Sequence, residues 1–255
     1  MNTQAQKIAL ITGGSRGLGR NTAESLARRG VDVVITYYSR ADEGRAAVAA
    51  VEAQGRKGMA LQLDTAATGT FGHFADSLKT ALRDSWGRDR FDFLINNAGT
   101  SYHNGIAQTT EADLDALYTV HLKGVFFLTQ KLLPLINDGG RIVNLSSGVT
   151  RIIYPGSGPY AMMKGAVEVL TKYLAKELGP RRIAVNVVAP GPIATDFSGG
   201  MVRDNPDVNK RIADMTALGR AGLPDDIGPM IASLLSEDDR WINAQRIEVS
   251  GGTSI

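Results

Sequence analysis

Residues 142 to 164 bring a phenol, an ammonium and two hydroxyls into one stretch: Ile-Val-Asn-Leu-Ser-Ser-Gly-Val-Thr-Arg-Ile-Ile-Tyr-Pro-Gly-Ser-Gly-Pro-Tyr-Ala-Met-Met-Lys. Tyr160 and Lys164 stand four positions apart at the start of an amphipathic run. On a helix that spacing puts both on one face. A phenol titrates near 10, so bringing it towards 7 takes about 4 kcal/mol of differential stabilisation, and a neighbouring cation acts in that direction. Such a group can give a proton to a developing alkoxide, or take one from an alcohol. A serine beside it can hold the reacting oxygen, and both Ser146 and Ser147 are in place to do so. The pair is a weak signal alone. Tyr160 also reads as a helix-start aromatic and Lys164 as a solvated helix charge.

A second set of residues lies near the start. Thr12-Gly13-Gly14-Ser15-Arg16-Gly17-Leu18-Gly19 follows an apolar run and opens an amphipathic one. Glycines at a strand-to-helix turn let the backbone approach a pyrophosphate, and the helix N-terminus offers free N–H groups. The second strand ends Thr36-Tyr37-Tyr38-Ser39-Arg40, and the first acid beyond it is Asp42. A carboxylate at the strand end would bind a ribose diol and repel a 2′-phosphate. Its absence, with Arg16 and Arg40 available as phosphate partners, favours NADP, leaving NAD as the alternative.

The elements that must position these groups follow from hydrophobic patterning. Strands are predicted over 7–12, 31–36, 58–63, 91–95, 141–145, 183–188 and 246–249. A first helix is predicted after the Gly13–Gly19 turn, ending near Arg28-Arg29-Gly30, and further helices over 41–53, 73–86, 111–133, 160–178 and 225–235, with Thr109 or Thr110 capping the fourth. Near-continuous Val/Ile/Leu strands alternating with helices imply an α/β fold: a doubly wound Rossmann-type parallel sheet of about seven strands with helices on both faces. No linker or repeat divides the chain, so residues 1–255 read as a single domain. Residues 64–72 read as a plain loop. Residues 193–221, irregular and interrupted by Gly199-Gly200 and Pro206, read as a lid beside the ligand crevice.

Composition narrows the function classes. The chain has no cysteine, which removes disulfides, thiol catalysis and zinc-thiolate sites. A net charge of +2 and no long basic run argue against a nucleic-acid surface. No apolar run is long enough to span a membrane, and the first residues lack a secretory h-region. A cytoplasmic protein is expected. His73 and His103 show no metal-ligand spacing, Met162 and Met163 read as helix packing, and Trp86 and Trp241 as core or interface aromatics.

With these residues in hand, nearly the whole chain resembles a short-chain dehydrogenase/reductase, similar to the 3-oxoacyl-carrier-protein reductase branch. The glycine motif, Asp64, Asn96-Asn97-Ala98-Gly99, Ser147, Tyr160-x-x-x-Lys164 and Pro190-Gly191 fall in the family's order and spacing. The resemblance implies that Asp64 and Thr65 bind near the adenine, and that Asn97, Ala98 and Gly99 line the ribose side. Pro190, Gly191, Ile193 and Thr195 would hold the nicotinamide end. Tyr160 would be the proton donor, Lys164 its partner and the ribose ligand, and Ser147, rather than Ser146, the oxygen holder. His121 stands in Val120-His121-Leu122-Lys123-Gly124, where many members carry an asparagine that completes a tetrad; a proton-relay or structural substitute is expected there. Family members are usually homotetramers, pairing through helices that correspond to 111–133 and 160–178 and through the last strand.

The expected function is NADP-dependent hydride transfer between a nicotinamide and a small-molecule carbonyl or secondary alcohol. The alternatives are an NAD-dependent alcohol dehydrogenase, a catalytically silent dinucleotide-binding regulator, and a nucleotide-sugar epimerase or dehydratase, for which 255 residues leave little room. Ser101, Tyr102, His103, Val149, Ile153, Tyr154, Pro192 and the lid should line the substrate pocket.

Overall fold

Short apolar runs that end at glycines or polar turns form the strands of this computed structural model. It describes residues 6–255; residues 1–5, which carry most of the start read above as lacking a signal, lie outside the described residues. The strands are β1 (Ile8–Ile11), β2 (Asp32–Tyr37), β3 (Gly58–Gln62), β4 (Phe91–Asn96), β5 (Ile136–Leu145), β6 (Ala184–Pro190) and β7 (Arg246–Val249). All pair in parallel in one sheet of order β3-β2-β1-β4-β5-β6-β7. The order reverses between β1 and β4. In open α/β sheets that reversal opens a ligand crevice at the carboxyl ends of the strands.

Alternate strand residues feed two cores. Ala9, Ile11, Val33 and Ile35 pack with Ala23, Leu26, Ile227 and Ile231 from α1 (Gly17–Arg28) and the late helix Pro224–Leu234. Ile8, Leu10 and Val34 face the other way, onto Phe71, Leu78 and Leu82 of α3 (Phe71–Trp86) and onto Leu128, Leu132 and Ala175. α2 (Ala41–Glu52) covers the first face through Ala47 and Val51. Helices on both faces explain why the strands lack alternation.

Several predicted elements come out differently, among them the strand expected over 141–145, which begins at Ile136. The segment 111–133 is not one α-helix: α4 (Glu111–Tyr118) and α5 (Gly124–Leu132) flank a π-helical turn over Thr119–Lys123. Thr110, not Thr109, caps α4, in a capping box with Asp113. α6 (Gly158–Glu177) starts two residues before Tyr160, with Pro159 in its first turn, where a missing N–H costs nothing. The 193–221 segment holds a short α7 (Met201–Asp204) and α8 (Pro206–Asp214) before α9 (Pro224–Leu234). Pro206 therefore opens a helix, capped by Asn205, and does not interrupt one. Within 64–72, a 3₁₀ turn over Thr68–Thr70 runs into α3.

Candidate active site

The glycine loop between β1 and α1 is shaped for a phosphate. Gly13 and Gly17 have φ of 62° and 52°, a left-handed backbone that disfavours side chains. A Cβ on Gly19 would run into Gly13 O and Asn97 Nδ2. Arg16 occupies the N-cap of α1 without a capping side chain, and the first turn has no acidic residue. The N–H groups there, around Gly17, Leu18 and Gly19, are left for an anion, and the dipole favours one. Ser15 is buried beneath the loop. These residues fit a dinucleotide pyrophosphate.

β4 ends against this loop. Thr12 Oγ1 accepts hydrogen bonds from the N–H groups of Asn97 and Ala98, both at 3.0 Å. Asn97 Nδ2 donates to Thr12 O and Gly13 O at 2.9 and 3.0 Å. The Asn97 side chain thus clasps the glycine loop, while Ala98 and Gly99 present backbone to the crevice. Asp64 Oδ1 accepts from Ala66 N at 2.8 Å, which fixes the turn carrying Thr65 beyond β3.

Beyond β2, Tyr38, Ser39 and Arg40 are exposed. Both arginines predicted for a 2′-phosphate already have carboxylate partners. Arg40 Nη1 lies 2.6 Å from Glu43 Oε1, and Arg16 pairs with Asp196, 180 residues away. At the other end of the crevice, Pro190 closes β6 and Gly191 N donates to Val249 O at 3.0 Å. Ile193 bridges to Gly222, and buried Thr195 Oγ1 accepts from Phe197 N at 3.2 Å.

Ser147, Tyr160, Lys164 and His121 gather at the carboxyl ends of β4 and β5. Lys164 is buried; its Nζ donates to Leu145 O at 2.8 Å and lies 5.5 Å from the Tyr160 ring centroid. Burial lowers its pKa to about 8. Burial pushes the Tyr160 phenol above its ordinary value, and a hydrogen bond with Ser147 offsets part of that. The downward pull expected from Lys164 and an oxidised nicotinamide is opposed by this burial, which favours the neutral phenol. The two serines separate cleanly. Ser146 Oγ donates to Glu168 Oε1 at 2.6 Å, in a network with Thr150 and Arg246, whereas Ser147 is half-buried beside Tyr160.

His121 sits on the π-turn, buried, with its ring edge-on to Tyr160 at 5.1 Å between centroids. Its shortest polar contact is Nε2 to Thr100 O at 2.9 Å. Thr100 N–H and Oγ1 also approach Nε2, both at 3.3 Å, but the shorter contact is to a carbonyl, which only accepts, and it favours the tautomer with the proton on Nε2 and Nδ1 as acceptor. Nδ1 is buried and has no partner among the described residues. Burial first, then the Lys164 charge, lowers its pKa to about 3, so the ring is neutral. Gly99 makes room for it: a Cβ there would stand 2.8 Å from His121 Cε1.

Sequence reasoning gave Thr12 only a place in the motif and missed Thr100, Glu168, Asp196 and Phe197. The Phe197 ring lies 6.5 Å from that of Tyr160, tilted by 52°. Also missed was the tie made by the last residues. Ser254 N donates to Met215 O at 2.9 Å and Leu218 N to Gly251 O at 3.1 Å, while Arg151 donates to Thr253 O and Ser254 O at 2.8 and 3.1 Å. His73 and His103 are exposed, and no metal-ligating cluster occurs among the described residues. Met163 is buried as expected, but Met162 faces out; Trp86 donates to Asp32 Oδ2 at 2.8 Å, and Trp241 is almost fully exposed. Among the described residues no helix is long and apolar enough to cross a membrane.

Comparison with known proteins agrees with this layout. The family model described as enoyl-(acyl carrier protein) reductase matches residues 13–254. The 3-oxoacyl-[acyl-carrier-protein] reductase FabG of Staphylococcus epidermidis is 34% identical over 249 residues, 96% of this chain and 98% of its own. The reductase LugOII, which catalyses keto-reduction at C1 during lugdunomycin biosynthesis, superposes with a TM-score of 0.92 at 36% identity, covering 98% of each chain. The angucycline C-6 ketoreductase LanV with bound NADP also gives a TM-score of 0.92, at 35% identity, covering 97% of this chain and 95% of its own. The chain belongs to the short-chain dehydrogenase/reductase family, in the branch similar to the 3-oxoacyl-carrier-protein reductases.

Proposed function

We propose that this NAD(P)-dependent oxidoreductase is an NADPH-dependent reductase of bulky, apolar ketones, with Tyr160 as the proton donor. The observation that carries the reading is the grouping of Tyr160, a buried Lys164 and Ser147 beside an uncapped glycine loop. The glycine loop holds the pyrophosphate, Asp64 and Thr65 the adenine side, Asn97 to Gly99 the ribose side, and Pro190 to Thr195 the nicotinamide end. The reduced nicotinamide supplies a hydride to the carbonyl carbon.

This chain's residues handle the oxygen. Ser147 donates a hydrogen bond to it and Tyr160 transfers its proton as negative charge develops. Lys164, mostly protonated at pH 7 with a pKa near 8, stabilises the tyrosinate left behind. His121 is the positioning residue behind them: its bare Nδ1 accepts a hydrogen bond from a water that supplies protons towards Lys164. The 193–221 segment acts as a lid, bringing Phe197 over the substrate. Exposed Phe197 and Ile106, the latter beside Gly158, give the mouth an apolar lining that suits an extended ring system. The similar proteins LugOII, which catalyses keto-reduction at C1 during lugdunomycin biosynthesis, and the angucycline C-6 ketoreductase LanV support ketone reduction.

The test is absorbance at 340 nm over a panel of cyclic and aromatic ketones with NADPH and with NADH. NADPH should give the faster turnover; equal or better rates with NADH would overturn the cofactor assignment. Tyr160→Phe should cut kcat at least about 1,000-fold while NADPH affinity stays within about twofold. Near-normal turnover in that variant would remove Tyr160 from the role.

A further inference from the structure

We propose that Asp196 sets the cofactor selectivity of this chain by competing with the 2′-phosphate of NADP for Arg16. The inference rests on the NADPH reading of the proposed function and on Arg16 as the 2′-phosphate partner expected from the sequence. Arg16 belongs to the glycine loop and Asp196 to the segment after β6, yet their side chains form an ion pair. Asp196 leans over the loop itself: a Cβ on Gly17 would lie 3.9 Å from its Oδ1.

Besides Arg16, the charge of Asp196 acts on Arg40 and on Arg203. Those two have close partners of their own. Arg40 pairs with Glu43 one turn along α2, and Arg203 holds both oxygens of Asp204 at 2.7 Å. Among the described residues, the Arg16 guanidinium pairs with Asp196 alone. The cluster is therefore an anion site that already holds an anion from the protein. A 2′-phosphate entering it must take Arg16 away from Asp196 and accept a carboxylate as a neighbour, whereas an unphosphorylated ribose does neither. Both partners of the pair are more than a third exposed, so the competition is modest, in the range of a few-fold in affinity.

Binding of two fragments isolates the effect from hydride transfer: 2′,5′-ADP, which carries the phosphate, and 5′-AMP, which does not. By isothermal titration, Asp196→Asn should tighten 2′,5′-ADP about three- to fivefold and leave 5′-AMP unchanged. Arg16→Gln should weaken 2′,5′-ADP and erase the gain from Asp196→Asn in the double variant. An unchanged ratio of the two affinities in Asp196→Asn overturns the proposal. So does an equal shift for both fragments, which marks a structural effect, and so does a gain that persists without Arg16. A wild-type preference for NADH would instead sink the NADP reading, and the Asp196→Asn ratio would still decide the role of Asp196.

Discussion

The buried histidine shapes both chemistry and acid stability. Free histidine takes up a proton near 6.5, but His121 in the fold resists until about 3. Between those values the unfolded chain binds the extra proton, so stability falls as pH drops through that window. At pH 5 the loss from this one group is about 2 kcal/mol. Thermal midpoints at pH 7 and pH 5 should therefore draw apart less in His121→Asn than in the wild type; equal gaps would mean that the ring titrates normally. For activity, an asparagine can still offer an acceptor, so His121→Asn should hold kcat within about threefold while His121→Ala loses about tenfold or more. Full rates in both variants would remove His121 from the relay. Residue chemistry was only partly readable in the sequence. Ser147, Tyr160 and Lys164 stood out by spacing, but the direction of the Tyr160 shift depends on burial. The Arg16–Asp196 pair joins positions 180 apart with no periodic signal between them.

At the level of elements, the π-turn over Thr119–Lys123 is the feature that patterning hid. One extra residue per turn leaves the apolar spacing on either side nearly intact, so 111–133 reads as a single helix. The turn places His121 inward, and the residue after the turn, Gly124, begins α5 against the backbone of the turn at Thr65. A Cβ on Gly124 would run into Thr65 O. Alanine normally favours a helix by about 1 kcal/mol over glycine. Here the clash is with backbone, which cannot swing aside, and overpacking costs about 1–3 kcal/mol. Gly124→Ala should therefore destabilise, by about 1–2 kcal/mol in urea unfolding, and weaken NADPH binding by displacing Thr65. A stabilised variant would show that the loop gives way. The strands were readable because burial on both faces leaves no ambiguity of phase. Pro206 was misread because proline breaks a helix interior but suits its first turn, and only the Asn205 cap distinguishes the two.

For the whole molecule, alternation in the sequence implied a parallel sheet but not its order, which long-range pairing sets. The exposed side chains now have a pattern as well. Phe126 and Phe127 on α5, and Met162, Val169 and Tyr173 on α6, are large and apolar yet outward-facing. Patches of this kind mark protein contacts, and a patch shared by two copies closes symmetrically. We infer that these helices pair between subunits of a homotetramer. Light scattering should give a tetramer mass at micromolar concentration, and Phe127→Glu with Tyr173→Glu should reduce it to a smaller species with unchanged helix content. A wild-type monomer would refute the assembly. The tie made by the last residues has a consequence for biosynthesis. Chains fold from the N-terminus as they are made. The glycine loop, Ser147 and Tyr160 all emerge before residues 251–254, whose backbone binds the 215–218 stretch and the Arg151 side chain. Until residues 251–254 are made, Met215 O, Leu218 N and the Arg151 side chain lack these partners, so the base of the 193–221 segment is tied down only after the sheet's other strands have been synthesised.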